Sequence, residues 1–174
     1  KEEGTLVCDE EEIMEKNIVS GIAFQKNESQ ITLTNIDDKP GVAAKIFGPL
    51  ASSGVNIDMI VQSNTETGLT NITFSCPVDD LDLAKKAISK AKKNNFISYE
   101  RLIENKNLAK VSIVGIGMKT HAGVAQKMFD TLSKENININ VISTSEIKLS
   151  VLIERKYLEL AVRSLHDAFD LQNL

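Results

Sequence analysis

Tryptophan is absent from this 174-residue chain, and aromatic residues together make up only 5% of it. Sheets that read RNA stack bases on exposed aromatics, so that class of function is poorly supplied here. Cysteine is scarce as well. Cys8 and Cys76 stand far apart, without the clustering of a metal site or the density of a disulfide scaffold. Both read as free thiols in a reducing, cytoplasmic setting. Long apolar runs are missing too. Stretches such as Leu149 to Ile153, with Ser150 inside, are far too short to cross a bilayer. No excess of positive charge exists, since 20 basic residues face 24 acidic ones for a formal net charge of −4. That balance speaks against a nucleic-acid partner. The acidic stretch from Lys1 to Asn17 has no apolar run, so it does not read as a signal peptide. A first residue of Lys reads as a piece of a longer chain. What remains is an ordinary globular balance, 42% apolar and 25% charged, enough for one large domain or two small ones.

An internal duplication organises the chain. The segment from Gln30, QITLTNIDDKPGVAAKIFGPLASSGVNIDMIVQS, is echoed from Lys110 by KVSIVGIGMKTHAGVAQKMFDTLSKENININVIST. Ile31 aligns with Val111, Leu33 with Ile113 and Ile36 with Ile116. After loops of different length, Gly41-Val42-Ala43 aligns with Gly123-Val124-Ala125, and Val55-Asn56-Ile57 with Ile137-Asn138-Ile139. LDLAKKAI from Leu81 then matches LELAVRSL from Leu158. The fold class implied is α+β, with two copies of one small domain.

In the first copy the alternation around Ile31 and Leu33 predicts a strand. Pro40-Gly41 opens a helix whose apolar face is Val42, Ala43, Ile46, Phe47 and Leu50, and Gly54 ends it. Val55 to Val61 and Asn71 to Cys76 read as strands, the latter closed by Pro77. Asp79 or Asp80 is placed to cap a second helix with Leu83, Ala84, Ala87, Ile88 and Ala91 buried. Phe96 to Ile103 reads as a fourth strand. The order βαββαβ is ferredoxin-like, with both helices on one face of an antiparallel sheet. The second copy has strands near Val111–Ile116, Ile139–Ser145 and Lys148–Ile153 and helices near Ala122–Lys134 and Tyr157–Phe169. Its fourth strand is missing, while a spare strand, Ile18 to Phe24, precedes the first copy. The expectation is that this N-terminal strand completes the second sheet.

Signals of catalysis are few. No GxxxxGK[ST] loop occurs, and Gly115-Ile116-Gly117 lacks a third glycine, because Thr120 stands where it belongs. His121 and His166 have no partner at metal-ligand spacing, and the acidic run Asp9 to Glu12 reads as a solvated segment. No metal site is expected. The segment Ile36 to Ala43 is different. It joins a strand to a helix N-terminus, where free backbone N–H groups and the helix dipole favour a carboxylate. Asp38 beside it offers an acceptor for an ammonium group. Together these would suit an α-amino acid. The same residues also make a plain helix start with a Pro-Gly turn, and on the residues alone both readings stand.

The loop DKPGVAAKIF, from Asp38 to Phe47, resembles that of ACT domains, which bind amino acids and regulate metabolic enzymes. Two copies, together with TNITFSCP from Thr70, VSIVGIGMKTHAGVAQKMFDTL from Val111, ISTSEIKLSVLI from Ile142 and SLHDAFDL from Ser164, resemble the aspartate kinase family. This resemblance covers nearly the whole chain from about Gly4. It implies a division into a linker from the catalytic lobe over 1–17, a first ACT domain over 29–105, and a second over 106–174 completed by 18–28.

The resemblance also implies a regulatory role, with lysine, threonine or both as the feedback effector. The catalytic signature is not in these residues, so no cofactor is expected here. ATP and Mg would belong to the kinase lobe, as would any kinase activity. The effector would lie where the first domain's loop meets the second domain of a partner chain. Its contacts would be Ile36, Asp38, Gly41, Val42, Ala43 and Gln62, with Asn138, Ile139 and Ser145 from the second domain. Such a site implies a homodimer and association with the kinase lobe. The second loop, Lys119-Thr120-His121-Ala122-Gly123, has no carboxylate for an ammonium and is expected to be a weaker site or purely structural. Other readings are an ACT tandem of another amino-acid enzyme, a free-standing amino-acid sensor, a dimerisation module, or a catalytic ferredoxin-like sheet. The last lacks an arginine between Asp37 and Ala44 for cradling phosphate.

Overall fold

A computed structural model describes residues 18–65, 68–116 and 122–173. Its frame is two long antiparallel strands, β1 (Val19–Asp37) and β4 (Leu102–Gly115), paired from Val19 opposite Gly115 to Leu33 opposite Leu102. Around them lie α1 (Val42–Ser52), β2 (Ile60–Asn64), β3 (Leu69–Pro77), α2 (Leu81–Lys93), α3 (Ala122–Lys134), β5 (Ile139–Thr144), β6 (Lys148–Glu154) and α4 (Leu158–Ala168). All six strands form one sheet in the order β2-β3-β1-β4-β6-β5.

Each half of that sheet is a ferredoxin-like unit. Residues 28–37 of β1 pair with β3 on one side and residues 102–105 of β4 on the other. Residues 19–25 of β1 instead pair with the far half of β4, which pairs in turn with β6. The N-terminal strand therefore does complete the second unit. Sequence patterning treats 18–24 and the strand at Ile31 as separate, and likewise Phe96–Ile103 and Val111–Ile116. The structure fuses the first pair into β1, and of the second pair it joins only Leu102 and Ile103 to the strand at Val111, as β4. No Gly or Pro lies between Gln25 and Gln30 to break β1. Irregularities on either side of Glu28 absorb the change of register instead.

Other boundaries move. Val55 to Met59 lie outside any strand, and the ladder begins at Ile60. Asn95 takes a left-handed φ of 56°, and the chain from Phe96 to Arg101 is a loop that meets β1 through Glu100 N–H to Thr34 O, 2.8 Å. Asp79 and Asp80 form a 3-10 turn, and neither side chain caps α2. Leu83 is exposed, because the buried stripe runs through Leu81, Ala84 and Ile88 at helical spacing. Tyr157 lies in a 3-10 turn before α4. Left-handed residues follow all four helices: Gly54, Asn95, Asn136 and Asp170.

The helices cover one face of the sheet. Ile31, Leu33, Phe74, Ile46, Leu50 and Ile88 form the first core, with Phe47 edge-on to Phe74 at 5.5 Å between ring centroids. Val111, Ile113, Val151, Met128, Leu132 and Leu165 form the second. On the opposite face a small cluster of Met59, Leu108, Val141 and Leu152 ties the two units together. Cys76 is a buried free thiol, whereas Cys8, the acidic run Asp9 to Glu12, the proposed linker and His121 lie outside the described residues.

Candidate functional site

The first core holds the β1–α1 loop from below. Ile36 is buried, with 2% exposure, and anchors the end of β1. The Asp38 N–H donates to Gly68 O at 3.1 Å, tying the loop to the β2–β3 hairpin. The Val42 N–H donates to Lys39 O at 3.1 Å, closing the turn through Pro40 and Gly41. Gly41 takes φ 90°, a conformation that glycine adopts without strain.

That geometry leaves the start of α1 open. No side chain caps it, and its first turn contains no acidic residue. Initial helix N–H groups lack a carbonyl one turn earlier, so those at Ala43 and Ala44 are free of the helical ladder. The dipole adds about 0.3–1 kcal/mol in favour of an anion there. Exposed Asp38 stands beside this terminus. The Gln62 side-chain amide of β2 reaches Asp38 Oδ1 at 3.4 Å and Asn64 Oδ1 at 3.3 Å. Thr70 in turn donates to Asn64 Oδ1 at 3.2 Å. Open backbone N–H groups and a carboxylate thus share one exposed edge of the first unit.

The fold therefore brings Ile36, Asp38, Gly41, Val42, Ala43 and Gln62 to one place. The residues named from the second unit stand elsewhere within one chain. Ile139 borders a cleft of about 300 Å³ with Gln30, Val61 and Thr73. Asn138 lines another, of about 320 Å³, with Phe129, Ser133 and Asn136. Ser145 belongs to the β5–β6 turn, where its N–H donates to Lys148 O at 2.7 Å. No hydrogen bond joins Asn138 or Ser145 to the Asp38 loop among the described residues. In the second loop, Lys119, Thr120 and His121 lie outside those residues.

Sequence reasoning missed Asn64, which accepts from Gln62, and Thr70, which bonds Asn64. Their role depends on hairpin register, Asn64 lying opposite Thr70 across β2 and β3, and no local motif encodes that. It also missed a cleft of about 440 Å³ behind the loop, where Lys39, Lys45 and Lys92 meet Pro40 and Phe96. No group of three or more metal-ligating side chains occurs among the described residues, and no described helix is long and apolar enough to cross a membrane.

Comparison with known proteins bears on the family and the fold. ACT-domain family profiles match residues 31–93 and 111–169. An aspartokinase of Pseudomonas aeruginosa is 51% identical over 170 residues, covering 97% of this chain and 41% of that protein. The chain spans about two fifths of the length of the curated relatives it matches. A solved structure of aspartokinase alpha and beta subunits contains a chain 44% identical, with TM-score 0.78, and the match covers 88% of this chain and 99% of that one. The ligand-free regulatory subunit of aspartate kinase from Thermus thermophilus is 37% identical with TM-score 0.80, at the same coverage. With two ACT units folded as in these subunits, the chain belongs to the aspartokinase family, as its tandem ACT regulatory region.

Proposed function

We propose that this region binds a free amino acid, lysine, threonine or both, and so conveys feedback inhibition to the aspartokinase catalytic lobe. One observation carries the reading: the uncapped N-terminus of α1 at Gly41 lies beside the Asp38 carboxylate and the Gln62 amide. At the loop from Gly41 to Ala43 the N–H groups of Gly41 and Ala43 hold the effector carboxylate, that of Val42 being engaged with Lys39 O, and Asp38 holds its ammonium. Gln62 faces the effector side chain, and Ile36 supports the floor.

Asn138, Ile139 and Ser145 complete the site from a second copy, since within one chain Asn138 and Ser145 do not join the loop. The exposed edge strand β2, carrying Ile60 and Val61, supports a homodimer. Inhibition follows if the effector favours the arrangement that joins the two units, because a ligand shifts an equilibrium only by its unequal affinity for two states. Kinase activity, with ATP and Mg, stays with the catalytic lobe, and the setting is cytoplasmic.

A thermal-shift screen of lysine, threonine, methionine and homoserine, singly and in pairs, tests the reading. At a hundredfold excess over Kd an effector adds about 2.7 kcal/mol to the folded state. Lysine, threonine or the pair should raise the midpoint by several degrees. A flat response to all four rejects the proposal.

A further inference from the structure

Three charged side chains meet on the helix-free face where the two units join. Glu28 sits at the irregular point of β1, opposite Pro77 of β3 and Leu108 of β4. It is 4% exposed, and its Oε2 has no hydrogen-bond partner. Lys110 of β4 is equally buried, and its ammonium is ion-paired with Asp58. The Glu28 carboxylate attracts that ammonium, and Lys148 of β6 repels it. Lys110 belongs to the second unit, where it lies opposite Leu152 of β6. Asp58 belongs to the first, in the segment that leads into β2.

That segment is fixed by few bonds. Asp58 N–H donates to Ser75 O at 3.2 Å, Ser75 N–H to Met59 O at 2.9 Å, and Met59 N–H to Ser75 Oγ at 3.2 Å. Four residues beyond Asp58, within β2, is Gln62, which meets Asp38. A lysine is seldom buried unless paired, and apolar side chains of similar volume often serve stability as well or better. Lys110 is the buried member, while the Asp58 side chain is 43% exposed, so the pair ties a buried ammonium of one unit to a surface carboxylate of the other, and it is better explained by the arrangement it selects.

We propose that Lys110 is a positioning residue for the effector site: reaching from the second unit, it fixes Asp58 and thereby the placement of β2, which carries Gln62 to Asp38. The contact with the second unit and the wall of the effector site are then one coupled element. This rests on the effector reading above for its binding consequence, though not for its effect on β2.

The test uses the full chain with Lys110→Met, Lys110→Arg and Asp58→Asn, reading amide exchange of Ile60 to Asn64, threonine and lysine Kd by calorimetry, and thermal midpoint. For Lys110→Met, β2 amides should exchange about tenfold faster while those of β6 keep their protection. Effector Kd should weaken about tenfold, and Lys110→Arg should restore most of both. Wild-type β2 exchange in a folded Lys110→Met chain overturns the proposal. So does loosening spread evenly over the sheet, which marks a purely structural role. If Lys110→Met does not fold, Asp58→Asn decides: local loosening of β2 supports the proposal, and unchanged exchange overturns it. If the wild type binds none of the amino acids, the effector reading fails, and β2 exchange alone still decides the role of Lys110.

Discussion

The side-chain amide of Gln62 meets the carboxylate of Asp38 at 3.4 Å, across a gap between an edge strand and a helix-opening loop. The two residues are far apart in sequence and share no element. The β2–β3 hairpin brings them together, since Asn64 lies opposite Thr70, and Thr70 opposite Ile36. Gln62→Ala removes the loop's polar neighbour from an exposed position. Thermal stability should stay within about 0.5 kcal/mol, as for most exposed substitutions. Calorimetric effector affinity should fall several-fold. Unchanged affinity would take Gln62 out of the site.

Gly41 gives a backbone prediction. A Cβ there would meet nothing within 4 Å, so only the left-handed conformation opposes a side chain. Gly41→Ala should cost about 1–2 kcal/mol, read as a lower thermal midpoint, and should weaken effector binding by tilting the N–H groups. A midpoint equal to wild type would show that the loop relaxes to another conformation.

The shared strands predict how the chain divides. A fragment beginning at Asn107 loses residues 19–25, which pair with β4 along the second unit. Its apolar edge at Val111 and Ile113 would be bare. It should show no cooperative thermal transition, and a peptide spanning 18–26 should restore one. A cooperative transition in the bare fragment contradicts the shared architecture.

Much of this was legible in the residues. The repeat, the four helices and the borrowed N-terminal strand follow from apolar spacing and from a missing fourth strand. Fusion of β1 through Glu28 was not legible, because the polar run Gln25 to Gln30 looks like a connection when read locally. Phe96 to Arg101 misleads in the opposite sense: Ile97 and Tyr99 pack against the first core from a loop, and Tyr99 O accepts from Lys92 Nζ at 2.7 Å. At the site, Asp38 and Gly41 are marked by the turn chemistry of their own loop. Asn64 and Thr70 matter only through cross-strand register, which local patterning does not encode.

Glu28 predicts a pH dependence. Burial raises its carboxyl pKa above the usual value of 4.5, opposed by the Lys110 ammonium and the Ser75 hydroxyl. A raised folded-state pKa means that the native state holds the proton more tightly than the unfolded chain. The resulting stability is full below pH 4.5 and is lost as pH rises through the raised pKa. Glu28→Gln carries no such titration. Denaturant unfolding of the variant should therefore gain on wild type steadily as pH rises from 4.5 into the raised range. A constant difference across that window would mean that Glu28 titrates as it does in the unfolded chain.

The central claim is that Asp38 and the open end of α1 form an amino-acid receptor. Its most direct test is calorimetric titration of wild type and Asp38→Ala with lysine and threonine, alone and together. A charge-assisted hydrogen bond contributes about 1.5–3 kcal/mol, so the variant should bind about 10- to 100-fold more weakly while unfolding at the wild-type temperature. Equal affinity in the two proteins, or no binding to wild type, would contradict the account.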